Sequence, residues 1–204
     1  MTRGPAKSFD PDKVLDKVML EFWKKGYAAT SIGALREATG LGAKSLYDTY
    51  GGKRELFIAS LERYGTIVVP REFDKVIASH PPAVALIRIL EKMVRVSAKG
   101  PARGCMLGVA AAEVDRDPEV SAAITKYLDH MQAALTGAIA NMPLKEDAPL
   151  PAELASMLMT LLQGVHLISR VDGSEKHARS SIDAARRFIN DCIGVPRGIT
   201  ESFS

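Results

Sequence analysis

Apolar residues in this chain recur at steps of three and four, the spacing of one face of an α-helix. Val14, Leu15, Val18, Met19, Phe22 and Trp23 mark a first helix. Asp10-Pro11 is an N-cap followed by proline at the first helical position, and Gly26 is placed to end the run. Thr30 or Ser31 can cap a short second helix with Ile32, Leu35 and Ala38 inward, which Gly40 closes. A third short helix spans Ala43 to Tyr50 and breaks at Gly51-Gly52. Lys53 then opens a longer stretch with Leu56, Phe57, Leu61 and Tyr64 on its apolar side, for which Pro70 predicts an interruption. Beyond His80-Pro81-Pro82 longer helices follow over Ala83–Ala98, Cys105–Val114, Pro118–Asn141, Ala152–Val171 and Glu175–Ile193. No strand-period segment, hairpin dipeptide or internal repeat competes with them. The expected fold is all-α, with about nine helices in two units at residues 8–65 and 80–193.

The segment from Ser31 to Tyr50 carries the most chemistry. A short helix, a break at Gly40 and a second short helix match a helix-turn-helix, whose first helix braces across DNA while the second enters the major groove. Leu46 and Tyr50 can face inward, which leaves Lys44, Ser45, Tyr47 and Thr49 for contact. Lysine suits a phosphate or guanine, the hydroxyls suit bases or phosphates, and Tyr47 carries a hydroxyl on a stiff ring. Lys53 adds its charge to a helix N-terminus, a favourable place for a phosphate. Spacing alone fits equally a short αα-corner in a bundle, with Tyr47 half-buried in packing and Lys44 merely solvated.

These residues add up to a longer pattern. Phe22-Trp23-Lys24-Lys25-Gly26-Tyr27-x-x-Thr30-Ser31-Ile32-x-x-Leu35 is followed by Gly40-Leu41 and then by Ser45-Leu46-Tyr47-x-x-Tyr50-x-x-Lys53-x-x-Leu56. It resembles the N-terminal signature of the tetracycline-repressor (TetR/AcrR) family of transcriptional regulators, over roughly residues 8–65. The resemblance implies a wingless three-helix DNA-binding domain, a helical ligand-binding and dimerisation domain, and repression relieved by a small molecule. It also implies DNA-contacting positions at Thr30, Lys44, Ser45, Tyr47, Thr49 and Lys53. Four residues depart from the pattern: Arg36 and Thr39 replace a common alanine, Gly42 a common capping serine, and Thr49 a common histidine. Gly42 forfeits a hydroxyl contact, and Arg36 offers a backbone contact in its place.

Charge agrees with that placement. The chain carries 27 Lys and Arg against 24 Asp and Glu, a formal net charge of +3. Residues 1–65 hold 11 basic and 8 acidic side chains, so the whole excess lies in the helix-turn-helix third. The first thirteen residues lack the apolar run of a secretory signal, and the charge-free stretch between Glu153 and Arg170 is shorter than a membrane span. Two cysteines, Cys105 and Cys192, form no CxxC pair. These features predict a cytoplasmic protein with no membrane partner.

The C-terminal helices suggest two roles. Leu154, Leu158, Leu161, Leu162, Val165 and Ile168, with Ile182, Ala185, Phe188 and Ile189, form wide apolar faces suited either to a homodimer interface or to internal core. A two-fold dimer would match a palindromic double-stranded DNA operator. Polar or soft residues on apolar helices, namely Cys105, Met106, Met131, Gln163 and His166, are candidates for an effector pocket. Cys105 follows Arg103 at a helix start, where a thiol gains reactivity, although burial as a small apolar residue fits as well. Glu113 and Asp115 read as a solvated turn, and Asp117-Pro118 as a helix start.

Enzyme signals are missing. No histidine has an acidic residue three positions before it, and no HExxH, P-loop, GxSxG or GxGxxG pattern is present. No metal or cofactor is expected. A ligand-responsive DNA-binding regulator is the leading reading, with a helical protein-interaction module and a helical enzyme as rivals.

Overall fold

The computed structural model describes residues 9–98, 104–113, 117–172 and 175–193. Among them the regular secondary structure is helical, with an isolated antiparallel bridge between Leu144 and Ile193. Helix α1 (Pro11–Ala29) starts where Asp10 accepts hydrogen bonds from the amides of Asp12 and Lys13. It buries Val14, Val18, Met19 and Phe22 against α4 (Lys53–Arg63), where the Phe57 ring meets Phe22 edge-on at 5.0 Å. Ser31, not Thr30, caps α2 (Ile32–Thr39), its hydroxyl accepting from the Ala34 amide at 3.1 Å. Helix α3 (Ala43–Tyr50) has no side-chain cap at Gly42, as expected for glycine there. Leu35, Leu46, Leu56 and Leu61 are wholly buried and hold these four helices together.

Pro70 does not interrupt the chain. Two π-helical turns, Tyr64–Val68 and Pro70–Asp74, carry α4 into α5 (Lys75–Ser79), with the Val69 amide bonding Tyr64 O and the Lys75 amide bonding Pro70 O. The wider i→i+5 turn makes room for a residue that lacks an N–H and crowds the preceding carbonyl, so the helix widens instead of ending. Gly65 lies inside this segment. A Cβ there would come within 2.2 Å of the Tyr127 ring, so glycine is what lets α8 (Pro118–Ala140) cross this closely.

The remaining helices are α6 (Pro82–Ala98), α7 (Met106–Glu113), α9 (Pro151–Asp172) and α10 (Glu175–Cys192). Helix α9 packs on α6, α8 and α10, and its Leu154, Leu158, Leu162 and Val165 lie within the core together with Ile182, Ala185 and Ile189 of α10. These seven residues are therefore not a dimer face, because each is 5% exposed or less within its own chain. Of the residues expected at an interface, Leu161 is half-buried, while Phe188 (39%) and Ile168 (52%) are exposed. Met157 and Leu167 join them on the outside of α9. No described helix is long and apolar enough to cross a membrane.

Candidate nucleic-acid interface and interior cavity

Helix α3 presents Lys44, Ser45, Tyr47 and Asp48 to solvent, with Thr49 half-buried and Leu46 as its inward anchor. Tyr50 also turns back, its hydroxyl donating to Pro11 O at 2.8 Å, which ties the end of α3 to the start of α1. Arg36 is exposed on α2. At the start of α4, Lys53 Nζ stands 4.5 Å from the centre of the Tyr27 ring and 3.5 Å from Ala28 O, so its charge is aimed along the surface.

Among the described basic residues of this region, most are spent on carboxylates: Lys13 on Asp10, Lys24 and Lys25 on Glu21, Arg54 on Asp117 and Glu119, and Arg63 on Asp16 and Asp12. Lys17, Arg36, Lys44 and Lys53 have no carboxylate partner there, and the last three are the cations expected to meet DNA. Thr30 lies apart from them. Its side chain is fully buried and donates to Gly26 O at 2.6 Å, so its hydroxyl is not available to a phosphate and instead braces the turn into α2.

That turn begins with a break inside α1. Gly26 has φ 81° and ψ 175°, a conformation essentially restricted to glycine. Such a break leaves carbonyls without partners before it and N–H groups without partners after it. Arg170 of α9 donates to the carbonyls of Trp23 and Lys24, both at 3.3 Å. From α7, Glu113 accepts from the amides of Tyr27 and Ala28 at 2.5 and 3.1 Å. Each charge matches the partial charge of the helix end that it touches. Glu113 is thus a structural clamp and not a solvated turn residue, while Asp115 lies outside the described residues. Trp23 adds a third tie, its indole donating to Gly104 O at 2.9 Å.

A second junction joins α4 to the start of α8. Arg54 pairs with Asp117 through Nε and Nη2 at 2.6 and 2.8 Å, and with Glu119 at 3.0 Å. The guanidinium, helped by the backbone amides that Asp117 caps, holds its carboxyl down at about 2. This link therefore stays ionised at any physiological pH.

A cavity of about 630 Å³ opens between α7, α8 and α9. Cys105, Gln163 and His166 line it as expected, but Met106 and Met131 do not, being packed in the core at 1% and 5% exposure. Sequence reasoning missed Gly108, Leu128, Asp129, Met159, Thr160 and Arg170, which also form the wall. The Cys105 thiol is 2% exposed and accepts a hydrogen bond from the Tyr64 hydroxyl at 3.7 Å, so it sits as a packed residue. Arg103, the proposed activator of that thiol, lies outside the described residues.

Burial lowers the pKa of His166 from 6.5 to about 4, which keeps its ring neutral. The unfolded chain, with an ordinary histidine, binds the proton first as pH falls. The resulting stability is intact above pH 6.5 and is lost as pH falls toward 4. Denaturant unfolding at pH 7 and pH 4.5 should show that His166→Leu removes about 2 kcal/mol of the acid loss seen in the unmodified chain. Equal acid losses in the two proteins would contradict a buried neutral ring.

Residues 14–60 match the bacterial regulatory proteins of the tetR family, and residues 83–185 match the tetracyclin repressor-like C-terminal domain. The HTH-type transcriptional repressor ComR of Escherichia coli K12 is 51% identical over 63 residues, 31% of this chain and 30% of that protein. BdcR, an HTH-type transcriptional repressor of the same strain, is 29% identical over 106 residues, 51% of this chain and 53% of the relative. The matched regions thus span 30% and 53% of these two relatives' lengths. Among solved structures, the TetR family regulator CifR, a cysteine mutant in complex with 26-base-pair operator DNA, superposes with a TM-score of 0.76 at 25% identity. That match covers 89% of this chain and 98% of CifR. A TetR family regulator from Cytophaga hutchinsonii superposes at 0.80 with 20% identity, covering 95% of this chain and all of the other.

Proposed function

The chain belongs to the tetracycline-repressor family of bacterial regulatory proteins, and from that premise we propose that it is a cytoplasmic, homodimeric repressor released from a palindromic operator by a small molecule. Residues 8–65 form the DNA-binding head, and residues 80–193 the effector-binding and dimerisation unit. The observation that carries this reading is the exposed α3 face of Lys44, Ser45 and Tyr47, flanked by Arg36 and Lys53, where basic charge is left unpaired beside a scaffold whose other cations are mostly spent. Helix α3 enters the major groove, and Arg36 and Lys53 meet phosphates on either side. The ComR similarity over the head and the operator-bound CifR structure support this assignment.

Dimerisation uses the outward residues of α9 and α10, with Ile168, Phe188 and Met157 replacing the buried leucines as the contact set. Release works by linkage: an effector that prefers the head spacing that misfits the operator weakens DNA binding by its differential affinity, and DNA weakens effector binding equally. The Gly26 break is the coupling element in this account. Arg170 touches both the cavity and the α1 carbonyls, so a displaced cavity wall shifts the root of the head.

Lys44→Ala and Lys53→Ala, measured by fluorescence anisotropy on operator DNA between 50 and 200 mM salt, should each weaken binding and flatten the salt slope by about one unit. An unchanged slope in both variants would remove these two residues from the interface.

A further inference from the structure

We propose that the cavity takes an uncharged, largely apolar small molecule that presents an adjacent hydrogen-bond donor and acceptor, the edge of a carboxamide or lactam, to the side chain of Gln163. This rests on reading the chain as an effector-responsive regulator and adds the chemistry of the effector.

Gln163 lines the cavity from α9, and both its amide atoms are out of contact with solvent and without a hydrogen-bond partner among the described residues. The amide is seated against α7 where Gly108 leaves room for it, since a Cβ there would lie 2.5 Å from Gln163 Oε1. Neighbouring polar groups are otherwise engaged: Gln132 donates to Ser156 Oγ and Ala152 O, and Thr160 donates to Ser156 O. A carboxamide offers one acceptor and a donor of two hydrogens, and burying either end unpaired is costly. A ligand with the same pair of groups in reverse order satisfies both ends together. Rotation about the glutamine side-chain bonds brings the amide edge to such a ligand.

The charges on the wall argue against an ionic ligand: Asp129 is exposed to solvent, where an ion pair gains little. Arg170 already donates to two backbone carbonyls at the α1 break, and His166 is neutral through burial. An anion entering here would lose its hydration without gaining a cation of its own. The volume of about 630 Å³ suits a drug-sized molecule, and the aliphatic part of the wall, with Leu128, Met159 and Leu167, suits an apolar body.

A matched panel tests this: phenyl, cyclohexyl and naphthyl bodies, each as the carboxamide, the carboxylate and the amine, titrated calorimetrically into the full chain without DNA. At least one carboxamide should bind tenfold or more tighter than its acid and amine counterparts. Gln163→Leu, which leaves an apolar wall, should reduce that carboxamide's affinity tenfold or more and abolish the preference. Gln163→Glu, which keeps the shape but replaces the donor with charge, should turn the preference toward the amine. The proposal is overturned if no carboxamide binds the unmodified chain, or if the preference survives Gln163→Leu. Operator binding is titrated separately. A chain that binds operator yet shows no carboxamide preference overturns this inference alone, whereas a chain that binds carboxamides through Gln163 but no operator overturns the regulator reading alone.

Discussion

Replacing Gly26 by alanine should lower the unfolding free energy by about 3–5 kcal/mol, measured by urea denaturation. Two costs combine. The backbone at φ 81° and ψ 175° lies in a region that side chains other than glycine occupy only under strain, about 1–3 kcal/mol. The new Cβ would also stand 1.9 Å from Glu113 Oε1, expelling the carboxylate from the amides of Tyr27 and Ala28. Losing charge-assisted bonds to backbone amides adds about 1.5–3 kcal/mol. Glu113→Gln, which keeps the shape and the glycine, should cost clearly less. A change below about 1 kcal/mol in Gly26→Ala would mean that the break is neither strained nor clamped.

The second large effect concerns assembly. Ile168→Asp with Phe188→Asp places charge on two apolar side chains that the single chain leaves 52% and 39% exposed, so its fold should survive while the dimer does not. Sedimentation at micromolar concentration should give the monomer mass of 22.0 kDa. Operator affinity should fall about a thousandfold, because linking two heads supplies an effective concentration near ~1 mM and specific dimers bind in the ~10⁻⁸–10⁻¹¹ M range. In the proposed dimer, the second copy supplies affinity that a head with only modest excess charge lacks. If the doubly substituted chain remains dimeric, the interface lies elsewhere.

The helices around the interface were largely legible in the sequence because each has local signals. Asp10-Pro11, Gly40 and Gly51-Gly52 act on the backbone within a few residues, and the bounds they predict for α3 and the end they predict for α2 are the observed ones, while the sequence leaves the α2 cap open between Thr30 and Ser31. Where a residue's role depends on distant partners, the signal fades. Apolar periodicity marks Leu158 and Ile168 alike, yet one faces the core and the other solvent, since the covering helix is chosen by the tertiary fold. Met106 and Met131 fit a core as readily as a cavity wall for the same reason. Thr30 matches a family position by type, but its side chain is turned inward by its bond to Gly26 O. Glu113 and Arg170 were missed as clamps because their partners lie 86 and 147 residues away. Gly26 could have hinted that a break needs capping, though not which charges supply it.

If two copies of α3 read a symmetric DNA site, selection from a pool of random duplexes by the full chain at physiological salt should reveal it. Enriched sequences should share a two-fold symmetric site whose half-site centres lie about one helical turn, ~34–36 Å, apart. Tyr47→Ala should enrich none of them. Enrichment of no common site, or the same site enriched equally by Tyr47→Ala, would contradict symmetric reading by α3.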